Sequence, residues 1–122
     1  MQRKSVGIGA IVMLLGVAIG AFGAHALKSV LGDHAATYET GVLYHMIHGL
    51  GIILIGIAAH AWGESKRLLW ASRLLLIGTI LFSGSLYVLS ITGITLLGAI
   101  TPFGGVAFIL GWLLFALEAF KK

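Results

Sequence analysis

The stretch LLLIGTILFSGSLYVLSITGITLLGAITPFGGVAFILGWLLFAL (residues 74–117) holds 44 residues and not one charged side chain. As a single helix it would be about 66 Å long at 1.5 Å per residue. That is twice the roughly 30 Å hydrocarbon thickness of a bilayer. The stretch must therefore be two membrane spans folded back on each other. Ile91-Thr92-Gly93 and Thr101-Pro102-Phe103-Gly104-Gly105 supply the breaks, and the spans are expected at about residues 68–91 and 102–120. Apolar lengths near 20 residues without strict alternation indicate helices rather than barrel strands.

Upstream, Val6 to Leu27 is an uncharged run that follows Arg3-Lys4. Ala24-His25-Ala26 resembles a signal-peptide cleavage site, but a signal's apolar region covers only about 7 to 15 residues, so this run reads as the first span (6–27). After the connector Lys28 to Ala36, with its Gly32-Asp33 break, the second span is expected at 38–62. Gly63-Glu64-Ser65-Lys66-Arg67 is the turn that follows. The fold class is thus an all-α membrane protein, a bundle of four transmembrane helices in one domain over residues 1–122.

Composition agrees. Apolar residues make up 59% of the chain and charged residues 10%, with a mean hydropathy of +1.07, whereas a water-soluble surface takes about 25% charged residues. The chain has no cysteine, which excludes disulfides, thiolate metal sites and a cysteine nucleophile. The net charge of +4 sits at the ends of apolar runs, a pattern that orients a chain in a membrane and does not point to nucleic acid. With the amino terminus inside, the inner side holds Arg3, Lys4, Lys66, Arg67, Arg73, Lys121 and Lys122, and the outer side Lys28 alone. The positive-inside rule then places both ends in the cytoplasm. Trp62, Trp70 and Phe120 fall near the inner boundary, where amphipathic rings favour headgroup depth; Trp112 is deeper and reads as packing.

Orientation converts positions into depths. His25, Glu39, Tyr44, His45, His48, Ser83, Ser85, Tyr87, Thr92 and Thr101 all fall in the outer half, while the inner half offers little beyond Thr79. His48 is the deepest, roughly 15 Å in if its span begins near Tyr38. Tyr44, His45 and His48 lie three and four residues apart on one helical surface. Intramembrane ionisable groups are costly unless they pair, face the bundle interior or line a wet cavity. Neutral imidazole can ligate a metal or haem iron, relay protons or hydrogen-bond a quinone. Two histidines do not complete a metal site, and His25 or Glu39 would have to contribute. The plainer reading is interhelical hydrogen bonding, worth less than about 2 kcal/mol per bond. His34 reads as a loop residue and His60 as an interfacial one.

The glycines read as packing positions. Gly16, Gly20 and Ala24 form a small-xxx-small face on the first span, Gly49 and Gly56 stand on the second and Gly84 on the third, all letting helices approach closely. At Thr101-Pro102 the threonine is expected to cap and the proline to open the fourth helix. No phosphate loop, dinucleotide fingerprint, HExxH or GxSxG occurs, and no residue is singled out as catalytic.

Four segments together resemble one family: Gly20-Ala-Phe-Gly-Ala-His-Ala-Leu27, Tyr38-Glu-Thr-Gly-Val-Leu-Tyr-His-Met-Ile-His48, Phe82-Ser-Gly-Ser-Leu-Tyr87 and Ile100-Thr-Pro-Phe-Gly-Gly105. They are similar to the YwdK/YgdD-like small bacterial membrane proteins, a family of unknown function. The resemblance implies a four-span inner-membrane protein and brings no reaction, cofactor or ligand with it. Small size, absent catalytic signatures and glycine-rich helix surfaces favour an accessory or scaffold protein for a membrane complex or lipid. Its expected partners are membrane lipids, with a homo-oligomer or larger complex left open and no nucleic acid. One alternative is a quinone-, haem- or metal-binding module built on the outer-half His, Tyr and Glu residues. Another is a small transporter or proton-conducting oligomer.

Overall fold

The structure, a computed structural model, describes residues 2–25 and 28–121, with Lys28 described by its backbone alone. Met1, Ala26, Leu27 and Lys122, which enter the readings above, lie outside the described residues. Helix α1 covers Gln2–His25. A short helix α2 (Lys28–Leu31) and a 3-10 turn (Gly32–His34) lead into α3, Ala35–Trp62. The third span is α4 (Lys66–Gly78), a π-helical turn (Thr79–Ser83) and α5 (Gly84–Thr92) in succession. A 3-10 turn (Thr95–Ala99) joins it to α6, Thr101–Ala119. Four helical segments are long and apolar enough to cross a membrane, and no strand occurs among the described residues.

The helices outrun the apolar segments at the charged end, because an α-helix continues into the headgroup zone with its backbone still satisfied internally. There the start of α1 meets the 63–65 turn, and the end of α6 meets the start of α4. The Gln2 backbone N–H donates to Glu64 Oε1 at 3.2 Å, and Gln2 Oε1 lies 3.0 Å from His60 Nδ1. The buried Glu118 carboxylate sits 3.8 Å from Arg67 and 3.5 Å from Lys121. Ser65 caps α4 by accepting from the Leu68 N–H at 3.1 Å. At the other end Gly93, with φ of +73°, closes α5 in the left-handed region that favours glycine. Pro102 opens α6, but Thr101 makes no capping bond there; its hydroxyl is 2.6 Å from Ser85 Oγ instead.

Burial is the reverse of a soluble protein's. Ile11, Leu14, Phe22, Leu54, Phe103 and Ile109 face outward, while Ser5, Ser72, Thr79, Ser83, Ser85 and Ser90 are buried. With lipid as solvent, burying leucine gains nothing over leaving it exposed, so close packing and interhelical hydrogen bonds select the inner faces. Helix α3 packs chiefly against α1 and the third span, and α6 packs chiefly against the third span. Ile52, Ile55, Leu68 and Leu75 form a fully buried plug in the half of the bundle nearer the charged end.

Glycines every seven residues set the two outer helix contacts. On α1, Gly9 abuts Ile53 and the Gly49 carbonyl, Gly16 faces Met46 and His45, and Gly23 lies under the Tyr38 ring. On α6, Gly104 lies against the backbone of Phe82, and Gly111 faces Leu75 and the Ala71 carbonyl. A seven-residue repeat keeps the same face toward its neighbour in a left-handed crossing. Of the sequence-derived packing residues, Gly16 and Gly20 face α3, while Gly49 and Gly56 face α1. Ala24 is exposed, and a Cβ at Gly84 would meet nothing within 4 Å.

Candidate functional site

The polar residues in the half of the bundle away from the charged end divide into two groups. The first clamps α3 to its neighbours. Tyr38 donates to the Ile19 carbonyl at 2.6 Å, and His45 Nε2 lies 2.7 Å from the Val12 carbonyl. The two donors are seven residues apart on α3 and the two acceptors seven apart on α1, so the bonds are rungs about 10 Å apart along antiparallel helices. Each ring reaches a carbonyl four residues before a glycine, Gly16 or Gly23, where no Cβ blocks it.

A carbonyl can only accept, so His45 Nε2 carries the proton. In the neutral ring Nδ1 is then an acceptor, and the Tyr87 hydroxyl donates to it at 2.8 Å. Both nitrogens of His45 are used. Ser83 donates to the Gly41 carbonyl at 2.7 Å and joins α3 to the third span; Ser85 donates to the Phe82 carbonyl at 2.9 Å and pairs with Thr101. His45, Thr79, Gly84 and Tyr87 also line a groove of about 450 Å³ between α1 and the third span. Thr79 donates to the Leu75 carbonyl at 2.8 Å, so the groove's polar groups already have partners.

The second group lies across α3, facing α6. His48 Nδ1 is 2.7 Å from the Tyr44 carbonyl one turn back, so Nδ1 donates and Nε2 is left with a lone pair. The imidazole is 4% exposed. It stacks on Phe108 with centroids 3.5 Å apart and planes at 13°, with Trp112 edge-on at 5.7 Å and Tyr44 parallel at 6.0 Å. These rings, with Phe82, line a groove of about 680 Å³ between α3 and α6. The π-helical turn brings Phe82 to the groove, 4.5 Å from Tyr44 between centroids. Phe108 fits because Gly78 opposite it has no side chain.

His45 and His48, three residues apart, therefore serve different neighbours. His25 and Glu39 are exposed toward the outer end, and neither bonds to Tyr44, His45 or His48 among the described residues. Glu39 lines a separate cleft of about 340 Å³ with Gly20, Gly23 and Tyr38. Among the described residues no three histidine, aspartate or glutamate side chains stand together as metal ligands. Local spacing did not single out Phe82, Phe108 or Trp112 as companions of His48. The aromatic character of positions 108 and 112, one turn apart, was the available signal.

The family model described as "Protein of unknown function (DUF423)" matches residues 19–105, a span that includes both His45 and His48. The chain belongs to this family. The UPF0382 membrane protein SH2409 of Staphylococcus haemolyticus is 46% identical over 115 residues, 93% of each chain. The UPF0382 membrane protein YwdK of Bacillus subtilis is 46% identical over 93% of this chain and 94% of its own, and SAB0533 of Staphylococcus aureus 43% identical over 93% of each. No solved structure matches the chain. This is a membrane protein whose family carries no assigned activity, and the reading of its site rests on its own residues.

Proposed function

We propose that the protein is a non-catalytic accessory of the bacterial cytoplasmic membrane that holds a lipid-phase molecule or a larger membrane assembly. The observation that carries this reading is the shape of the bundle beside α3. Two apolar grooves open outward between helices, while the polar side chains between the spans are largely engaged in interhelical bonds. The buried plug of Ile52, Ile55, Leu68 and Leu75 closes the inner half, which favours a holding role over a conduit. The test is purification of the tagged full chain from its native membranes in polymer-bounded discs. At least one protein or lipid class should be enriched over an unrelated four-span control; composition identical to the control overturns the reading.

Both chain ends are placed in the cytoplasm by the same proposal. The end at which Gln2, Glu64, Arg67 and Glu118 meet also carries Arg3, Lys4, Lys66 and Lys121, as the positive-inside rule requires of a cytoplasmic face. The native chain has no cysteine, so a single introduced thiol reports its side unambiguously. Asp33→Cys should react with a membrane-impermeant maleimide in intact cells, and Glu64→Cys only after permeabilisation. The reverse pattern would invert every depth assigned above.

A further inference from the structure

We propose that the groove between α3 and α6 binds a neutral, lipid-soluble hydroquinone, with His48 Nε2 accepting a hydrogen bond from its ring hydroxyl. This rests on the holding role proposed above and names the class of molecule held in one of its two grooves.

Depth comes first. His48 lies about 20 Å by helical rise from either end of α3, which places it near the bilayer midplane. Phospholipid phosphates and esters stand roughly 15 Å away at the edges of the hydrocarbon. A polar occupant at this depth has to be a neutral molecule that dissolves in the membrane.

The hydrogen-bonding inventory comes next. Nε2 of His48 has an unused lone pair, and the side chain is buried and lines the groove. Among the described residues the Tyr44 hydroxyl and the Trp112 indole N–H, both on groove-lining side chains, also make no hydrogen bond. None of the three atoms is sealed inside the protein without a partner, so a molecule entering the groove from the membrane can reach them, and in hydrocarbon a partner for each is favourable. The set comprises one obligate acceptor, one obligate donor and one group able to act as either.

A hydroquinone matches that set. One ring hydroxyl donates to Nε2, and the second ring oxygen accepts from Tyr44 or Trp112. Its flat ring suits walls made of Tyr44, Phe82, Phe108 and Trp112, since aromatic rings favour offset or edge contacts with one another. No charged side chain lines the groove, so no anionic headgroup is favoured there. The volume of about 680 Å³ takes such a ring and the first part of an apolar tail, within the range usual for small-molecule sites.

The test uses the purified full chain in lipid nanodiscs, titrated with 2-decyl-1,4-benzohydroquinone under reducing conditions and followed by tryptophan emission. Wild type should show saturable quenching above that of empty discs. His48→Phe keeps a ring of similar size and removes the acceptor; its binding should weaken at least tenfold, about 1.4 kcal/mol. The dimethyl ether of the same compound, lacking both donors, should bind wild type at least tenfold more weakly. Ile109→Trp adds bulk from an exposed groove-lining position and should abolish binding even if His48→Phe fails to fold. His45→Phe, outside this groove, should bind within twofold of wild type. Non-saturable quenching, an ether that binds as well as the hydroquinone, or decanol competing at equal concentration each overturns the proposal. None of these results bears on whether a protein partner co-purifies.

Discussion

Replacing Gly104 by alanine is expected to destabilise the bundle by about 1–3 kcal/mol, and replacing it by leucine to separate the outer half of α6 from the third span. A Cβ at this position would overlap the backbone N of Phe82 and sit 2.7 Å from its Cβ and 2.8 Å from its Cα. The obstacle is main chain, which has no alternative rotamer, so relief requires the helices to move apart. The displacement would also shift Phe82, which contacts both Tyr44 and Phe108, and so deform the groove. Gly105, its neighbour in sequence, has nothing within 4 Å of an added Cβ. Gly105→Ala should therefore be neutral or slightly stabilising, since alanine is favoured over glycine within a helix by up to about 1 kcal/mol. Unfolding in mixed detergent–SDS micelles measures both variants. Equal stability of Gly104→Ala and Gly105→Ala would show that the α6 contact is not as close as described.

This pair of glycines illustrates how far the sequence could be read. The four spans were legible because an uncharged segment of 44 residues exceeds what one crossing can hold, and bilayer thickness is a fixed external ruler. Which helix lies beside which was not. In water the buried face of a helix is its apolar face, but here Leu14, Leu54 and Ile109 are exposed while Ser72 and Ser90 are buried, so hydrophobic periodicity points nowhere. Glycine is the remaining signal, and it is ambiguous at short range. The four-residue spacing picks out Gly16, Gly20 and Ala24; Gly16 and Gly20 lie against α3 but Ala24 is exposed, and the closest approaches follow Gly9, Gly16 and Gly23. The π-helical turn left no legible mark either, because its residues, Thr-Ile-Leu-Phe-Ser, are ordinary for a membrane helix.

The histidines show the same boundary between local and global information. Spacing places His45 and His48 on neighbouring rows of α3 and is silent about what each row meets. The rows diverge because α1 and α5 supply acceptor and donor to one, whereas α6 supplies only rings to the other. The residue that looked equivalent by sequence is a saturated structural group in one case and a half-used acceptor in the other.

The saturation of His45 carries the last expected result. His45→Phe should destabilise the bundle by about 1–2 kcal/mol, because it deprives the Tyr87 hydroxyl of its acceptor in a medium without water and removes the bond to Val12. Tyr87→Phe alone loses one bond and should cost about 0.6 kcal/mol, with an upper bound near 1.7, the range found for interhelical hydrogen bonds in membranes. The double variant should cost less than the sum of the two, since the Tyr87–His45 bond is lost only once. That difference, measured by unfolding in micelles, is expected near 0.6 kcal/mol and is the worth of the pair. Strict additivity would mean that the two side chains do not interact. His45 would then hold the helices by its bond to the Val12 carbonyl and its packing against Gly16, and its tautomer would have no bearing on Tyr87.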